Sequence, residues 1–153
     1  MAVNGPAVGI GASYALAGDI VLAAESSYFL LSFAAIGLVP DGGASCLFPA
    51  RVGSGRFNRL AMLGERVPAN RALEYGLVDQ VTSEATLRDS ALELADRLAA
   101  GPTGAYTAVK SLINADALSG LDAALDLEAQ LQGRQVDTEE FDRGLAAFAS
   151  SKR

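Results

Sequence analysis

The 153-residue sequence has no histidine, no tryptophan and one cysteine. Histidine is the commonest general base and metal ligand, so its absence excludes His-dependent catalytic triads and His-based zinc sites. Any acid–base chemistry must come from carboxylates, Lys, Tyr, Ser or Cys. Cys46 has no second cysteine to pair with, which fits a reducing cytosol. No apolar run approaches the roughly 18–20 residues of a membrane span. No basic stretch precedes an apolar one near Met1, as it would in a secretory signal. A cytoplasmic location with no membrane partner is therefore the expectation. Positive charge is scarce too: 12 Lys and Arg against 18 Asp and Glu leave a net charge of −6. Phosphate contacts need clustered cations, so no nucleic-acid partner is expected.

What is present suits one globular domain. Half of the residues are apolar and a fifth are charged. Residues 2–4 (AVN) read as the end of a strand and Gly5-Pro6 as a turn. Small residues from Gly11 to Ala17 suit a short, closely packed helix. IVLAA (20–24) is a continuous apolar run of strand length, the kind buried on both faces. YFLL (28–31) reads as a second strand, and GLVPDGG (37–43) is a loop by its Gly and Pro content.

Beyond residue 43 the pattern is mostly helical. ASCLFPARVG and GRFNRLAMLG predict two short helices, each stopped by glycine. A third runs from Pro68 to Tyr75, with Gly76 at its C-cap. LVDQV (77–81) reads as a short strand. Leu87, Ala91, Leu94 and Leu98 then recur at helical spacing, and Val109, Leu112 and Ile113 share a face of the next helix. Ser119 with Asp122, and Asp137 with Glu140, suggest two further N-caps. The acidic run Asp137, Glu139 and Glu140 suits a helix N-terminus, where the dipole favours negative charge, better than a metal cluster. No metal site is expected.

The stretch AVNGPAVGIGASYALAGDI (2–20) concentrates glycine where a strand gives way to a helix. Such a turn can aim backbone N–H groups at a ligand, or it can simply allow close strand–helix packing. Taken with FAAIGLVPDGG (33–43), LGERVPANRALEYGLVDQV (63–81) and EEFDRGLAAFASSKR (139–153), it resembles the crotonase family, the enoyl-CoA hydratases and isomerases. The four segments occur in order and span essentially the whole chain. Within the family the chain is most similar to epoxyphenylacetyl-CoA isomerase-like and 3-enoyl-CoA isomerase-like members.

The resemblance implies an α/β fold: a ββα spiral core over residues 1–81, incomplete at its N-terminal side, then a helical region over 82–153 used for trimer assembly. It implies an acyl-CoA thioester substrate, with CoA entering as part of the substrate and no separate cofactor, and a homotrimer or hexamer. The chain corresponds to the C-terminal part of a longer family member, so Met1 reads as an internal start or the edge of a split gene.

The resemblance also assigns roles. The Gly9-Ile10-Gly11 turn supplies half of an oxyanion hole, with the Ile10 backbone N–H facing the thioester oxygen as it gains enolate charge. The family's second donor belongs to an N-terminal loop outside this sequence. Hydration in the family uses two glutamates, and the matching positions here are Ser13 and Phe33. Neither can replace a glutamate, although Ser13 could hold a water. Asp41 stands near where isomerase members carry an acid. One carboxylate suffices to move a proton from C2 to C4 of a 3-enoyl thioester when its surroundings are dry, and Leu38, Val39 and Phe33 are apolar. The other reading of Asp41 is the aspartate of a Pro-Asp-Gly turn. Phe148 and Lys152 match the family segment near the CoA nucleotide.

The expectation is therefore an enoyl-CoA isomerase with Asp41 and the Ile10 N–H as catalytic groups, and Gly9, Gly11, Ser13, Phe33, Phe148 and Lys152 as substrate-binding residues. Two alternatives stay open: an enoyl-CoA hydratase, and a non-catalytic fragment that only oligomerises.

Overall fold

Short apolar stretches divided by glycine turns carry the chain back and forth between two small sheets. The computed structural model describes residues 1–150. Its strands are β1 (Ala2–Val3), β2 (Pro6–Val8), β3 (Leu22–Ala24), β4 (Tyr28–Leu30), β5 (Val67–Pro68) and β6 (Gln80–Thr82). One sheet has the order β1-β3-β6, all parallel, and the other the order β2-β4-β5, with β4-β5 antiparallel. Each circuit of the chain adds one strand to each sheet, and helices fill the returns: α1 (Ile10–Leu16), α2 (Ala44–Val52), α3 (Ser54–Leu63) and α4 (Ala69–Tyr75). This is the ββα spiral that the sequence led us to expect.

The central position of β3 explains its composition. Leu22 pairs with Ala2 on one side and Gln80 on the other, and Val21 to Ala24 are all buried. A strand covered on both faces carries no polar alternation. The core continues through Phe29, Leu31, Phe48 and Leu77, each at most 2% exposed. Arg51 fastens α2 to this layer: it donates to the Gly18 carbonyl at 2.6 Å and lies 3.6 Å from the Asp79 carboxylate, which itself accepts the Val21 N–H at 2.7 Å.

Some local readings need correction. Pro6 does not sit in a turn but opens β2, an edge strand where a missing N–H is tolerated. Leu77 and Val78 precede β6 rather than form it. They are buried by the C-cap of α4, where Gly76 is left-handed (φ 80°) and the Leu77 N–H reaches back to the Ala72 carbonyl at 2.9 Å. The residue that caps the last helix is Thr138, whose Oγ1 accepts the Phe141 N–H at 3.3 Å. Ser119 does not cap its helix: Gly120 holds that place, and the Ser119 hydroxyl donates to the Asp116 carbonyl.

After β6 come α5 (Glu84–Ala99), α6 (Thr103–Asp116), α7 (Leu121–Gln135) and α8 (Glu139–Ser150). Leu87 of α5 packs on Leu22 and Ala24. No residue of α6 is buried, and Val109, Leu112 and Ile113 are 57%, 72% and 57% exposed. In contrast, α7 and α8 fold back onto the core. Gly37 and Gly144 let α8 meet the 3-10 turn at Ala34–Ile36 backbone to backbone, and a Cβ on Gly144 would lie 2.5 Å from Ile36 Cα. Gly144→Ala should therefore destabilise the chain by about 1–2 kcal/mol in urea unfolding, because overpacking outweighs the gain in helix propensity. Gly133→Ala in α7, where an added Cβ meets nothing within 4 Å, should instead stabilise by up to about 1 kcal/mol.

Candidate active site

The site is built from one strained turn, one glycine-rich loop and the helix laid across them. Gly9 adopts φ 57° and ψ −128°, a conformation side-chain-bearing residues avoid. Its N–H donates to the Leu30 carbonyl at 2.8 Å, which pins the turn to β4. The Ile10 N–H at the head of α1 has no acceptor among the described residues. An open donor at the positive end of a helix suits a developing negative charge. Phe33, 7% exposed, lies beside this turn: its ring edge would be 3.7 Å from a Cβ on Gly9.

The 37–43 loop comes directly against α1. Gly42 and Gly43 are consecutive left-handed residues (φ 67° and 83°). A Cβ on Gly42 would lie 2.9 Å from Ile10 Cγ1 and 3.2 Å from Ser13 Cβ, so only glycine allows this approach. Ser13 is fully buried, and its hydroxyl donates to the Asp41 main-chain carbonyl at 2.7 Å. The hydroxyl that the sequence offered to a water or substrate is thus engaged in holding the Asp41 loop on α1. One Asp41 oxygen, Oδ2, accepts from Gln132 Nε2 at 3.0 Å, whereas Oδ1 is buried without a hydrogen-bond partner among the described residues.

The sequence reading missed Glu128. This α7 residue is 5% exposed and accepts three hydrogen bonds at the head of α2: from the Gly43 N–H and the Ser45 N–H, each at 2.8 Å, and from the Ser45 hydroxyl at 2.6 Å. Negative charge there is favoured by the open N–H groups and by the helix dipole. Nothing local sets Glu128 apart from Asp122 or Asp126 of the same helix; its partners lie 85 and 83 residues away in sequence. Beside the loop an apolar cavity of about 360 Å³ opens between α3 and α7, walled by Leu38, Pro40, Phe57, Met62 and Leu131.

The structure thus brings together Gly9, Ile10, Gly11, Ser13, Phe33 and Asp41. Phe148 is half-exposed on α8, and Lys152 lies outside the described residues. Hydrogen bonding to Arg59 holds the partly exposed Glu65 carboxyl below its usual range, and Tyr75 and Glu74 raise Arg71.

Comparison with known proteins defines the class. The family model described as enoyl-CoA hydratase/isomerase matches residues 1–153. The chain belongs to the enoyl-CoA hydratase/isomerase family. It is 40% identical over 151 residues to the 1,2-epoxyphenylacetyl-CoA isomerase of Escherichia coli K12, covering 99% of this chain and 58% of that protein. To a probable enoyl-CoA hydratase of Rhodobacter capsulatus it is 38% identical, covering 99% and 59%. Among solved structures, an enoyl-CoA hydratase from Mycobacterium avium subsp. paratuberculosis K-10 superposes with a TM-score of 0.91 at 43% identity, covering 96% of this chain and 60% of that one. The chain therefore spans somewhat under two thirds of the length of these relatives.

Removing the Glu128 carboxylate leaves the buried Gly43 N–H without an acceptor, at about 1–3 kcal/mol, and breaks two partly buried charge-assisted bonds from Ser45. Glu128→Ala should lower the unfolding free energy by about 3 kcal/mol while preserving far-UV helix content, and Glu128→Gln, which keeps one acceptor, should lose less.

Proposed function

We propose that the protein carrying this chain isomerises enoyl-CoA thioesters, moving a double bond from the 3,4 to the 2,3 position. The observation that carries the proposal is the Asp41 carboxylate. One of its oxygens is hydrogen-bonded and the other is buried without a hydrogen-bond partner among the described residues, on a loop that packs directly against the Ile10 turn. The unpartnered oxygen takes a proton from C2 of the thioester. The electron pair moves into the C1–C2 bond as the thioester oxygen becomes an enolate, and the Ile10 N–H stabilises that charge. The proton is then returned at C4, giving the conjugated 2-enoyl product. A preorganised donor to such an oxyanion typically contributes about 3–4 kcal/mol to lowering the barrier. The second donor is the part the family draws from outside this sequence.

The positions of the two hydratase acids support isomerisation over hydration. Ser13 is committed to the Asp41 carbonyl, and Phe33 presents a hydrocarbon ring to the Gly9 turn. Neither can activate a water for attack at C3. The trimer or hexamer remains part of the same proposal, supported by the bare apolar face of α6. CoA enters as substrate, and the chemistry asks for no further cofactor.

In this reading, Asp41→Asn should lower kcat for 3-enoyl-CoA isomerisation by about 100-fold or more, the usual contribution of a positioned acid–base group. CoA-thioester binding should be little changed. Turnover unaffected by the substitution, or hydration of crotonyl-CoA at a rate matching isomerisation, would overturn the assignment.

A further inference from the structure

The carboxylate on which the proposed reaction rests does not stand alone. Gln132, one helical turn beyond Glu128 on α7, faces the loop with its whole amide. Its Nε2 donates to Asp41 Oδ2 at 3.0 Å, and its Oε1 accepts the Val39 N–H at 3.4 Å. The amide orientation is dictated by its partners, because a backbone N–H can only donate and a carboxylate can only accept. Gln132 therefore spans the loop from Val39 to Asp41. Glu128, bonded to Gly43 and Ser45, fixes the same helix on the far side of Asp41.

We infer that Gln132 is a positioning residue: it holds Asp41 Oδ2 so that Oδ1 alone is presented as the base. The inference rests on the functional reading given above. A carboxylate has a broad, nearly two-fold torsion about its last bond. Without a donor on one side, its two oxygens exchange places and the open one is no longer directed. The buried, unpartnered state of Oδ1 is what a fixed orientation leaves behind. An unsatisfied buried acceptor is unfavourable in the resting protein, and a carboxylate free to turn would relieve it.

Three variants test the inference. Gln132→Met removes the amide while keeping the length of the side chain. Gln132→Glu keeps an acceptor for the Val39 N–H but loses the donor to Asp41, so it separates loop tethering from carboxylate positioning. Both should lower kcat for 3-enoyl-CoA isomerisation by about 10- to 100-fold, as misplacement of a reacting group does. KM should stay within about twofold, because uniform binding is untouched. In an Asp41→Asn background, Gln132→Met should change kcat by less than about twofold, since residues acting through one group are not additive. If Gln132→Met does not fold, the KM and kcat of Gln132→Glu decide alone. Parent kcat in Gln132→Glu, or full additivity with Asp41→Asn, overturns the positioning role while leaving Asp41 as base. Unchanged turnover in Asp41→Asn, or a parent with no isomerase turnover, overturns the functional reading and this inference with it.

Discussion

The buried Glu128 carboxylate is the contact on which the arrangement of the site depends. It meets the N–H groups at the head of α2, where Gly43 and Ser45 follow directly on the Asp41 loop. No apolar residue of α7 is buried, so the helix has little hydrophobic area to hold it in place. Its position is set instead by charge-assisted hydrogen bonds, each stronger than a neutral pair. Once α7 is fixed there, Gln132 reaches the loop. Ser13 holds the loop from the opposite side. Asp41 is thereby fastened through its main chain to α1 and through its side chain to α7.

Glycine makes the close approach possible. The same loop turns through two left-handed residues, and Gly42 lies where any side chain would strike Ile10. The Gly9–Ile10 turn and the Asp41 loop are therefore one packed unit: a shift in either moves the other. In the proposed reaction one proton leaves one carbon and returns two carbons away, so the proposed base and oxyanion donor must keep their separation throughout. Ser13 is hydrogen-bonded into this unit, and the Phe33 ring lies beside its Gly9 turn.

The strands and helices were legible because their signals are local. IVLAA reads as a buried strand because its apolar run is unbroken, and Gly64 and Gly76 mark helix ends because only glycine takes the left-handed cap without strain. The Gly9–Ile10 turn and Asp41 were singled out through their likeness to family segments, and the structure packs the two against each other. Glu128 and Gln132 were not found. Their partners lie 83 to 93 residues away, and no periodicity within α7 records which acid faces the core. The apolar face of α6 was read correctly as a face, yet within the single chain it meets solvent. Whether a residue becomes buried depends on what packs against it, which the local pattern does not contain.

The most direct test of a single-base mechanism follows the proton. A 3-enoyl-CoA carrying deuterium at both C2 positions should, in a single turnover in ordinary water, give a 2-enoyl-CoA with deuterium at C4, carried there by Asp41. A 2-enoyl-CoA product that carries only solvent hydrogen at C4 would show that the proton delivered there is not the one taken from C2, and would contradict the account.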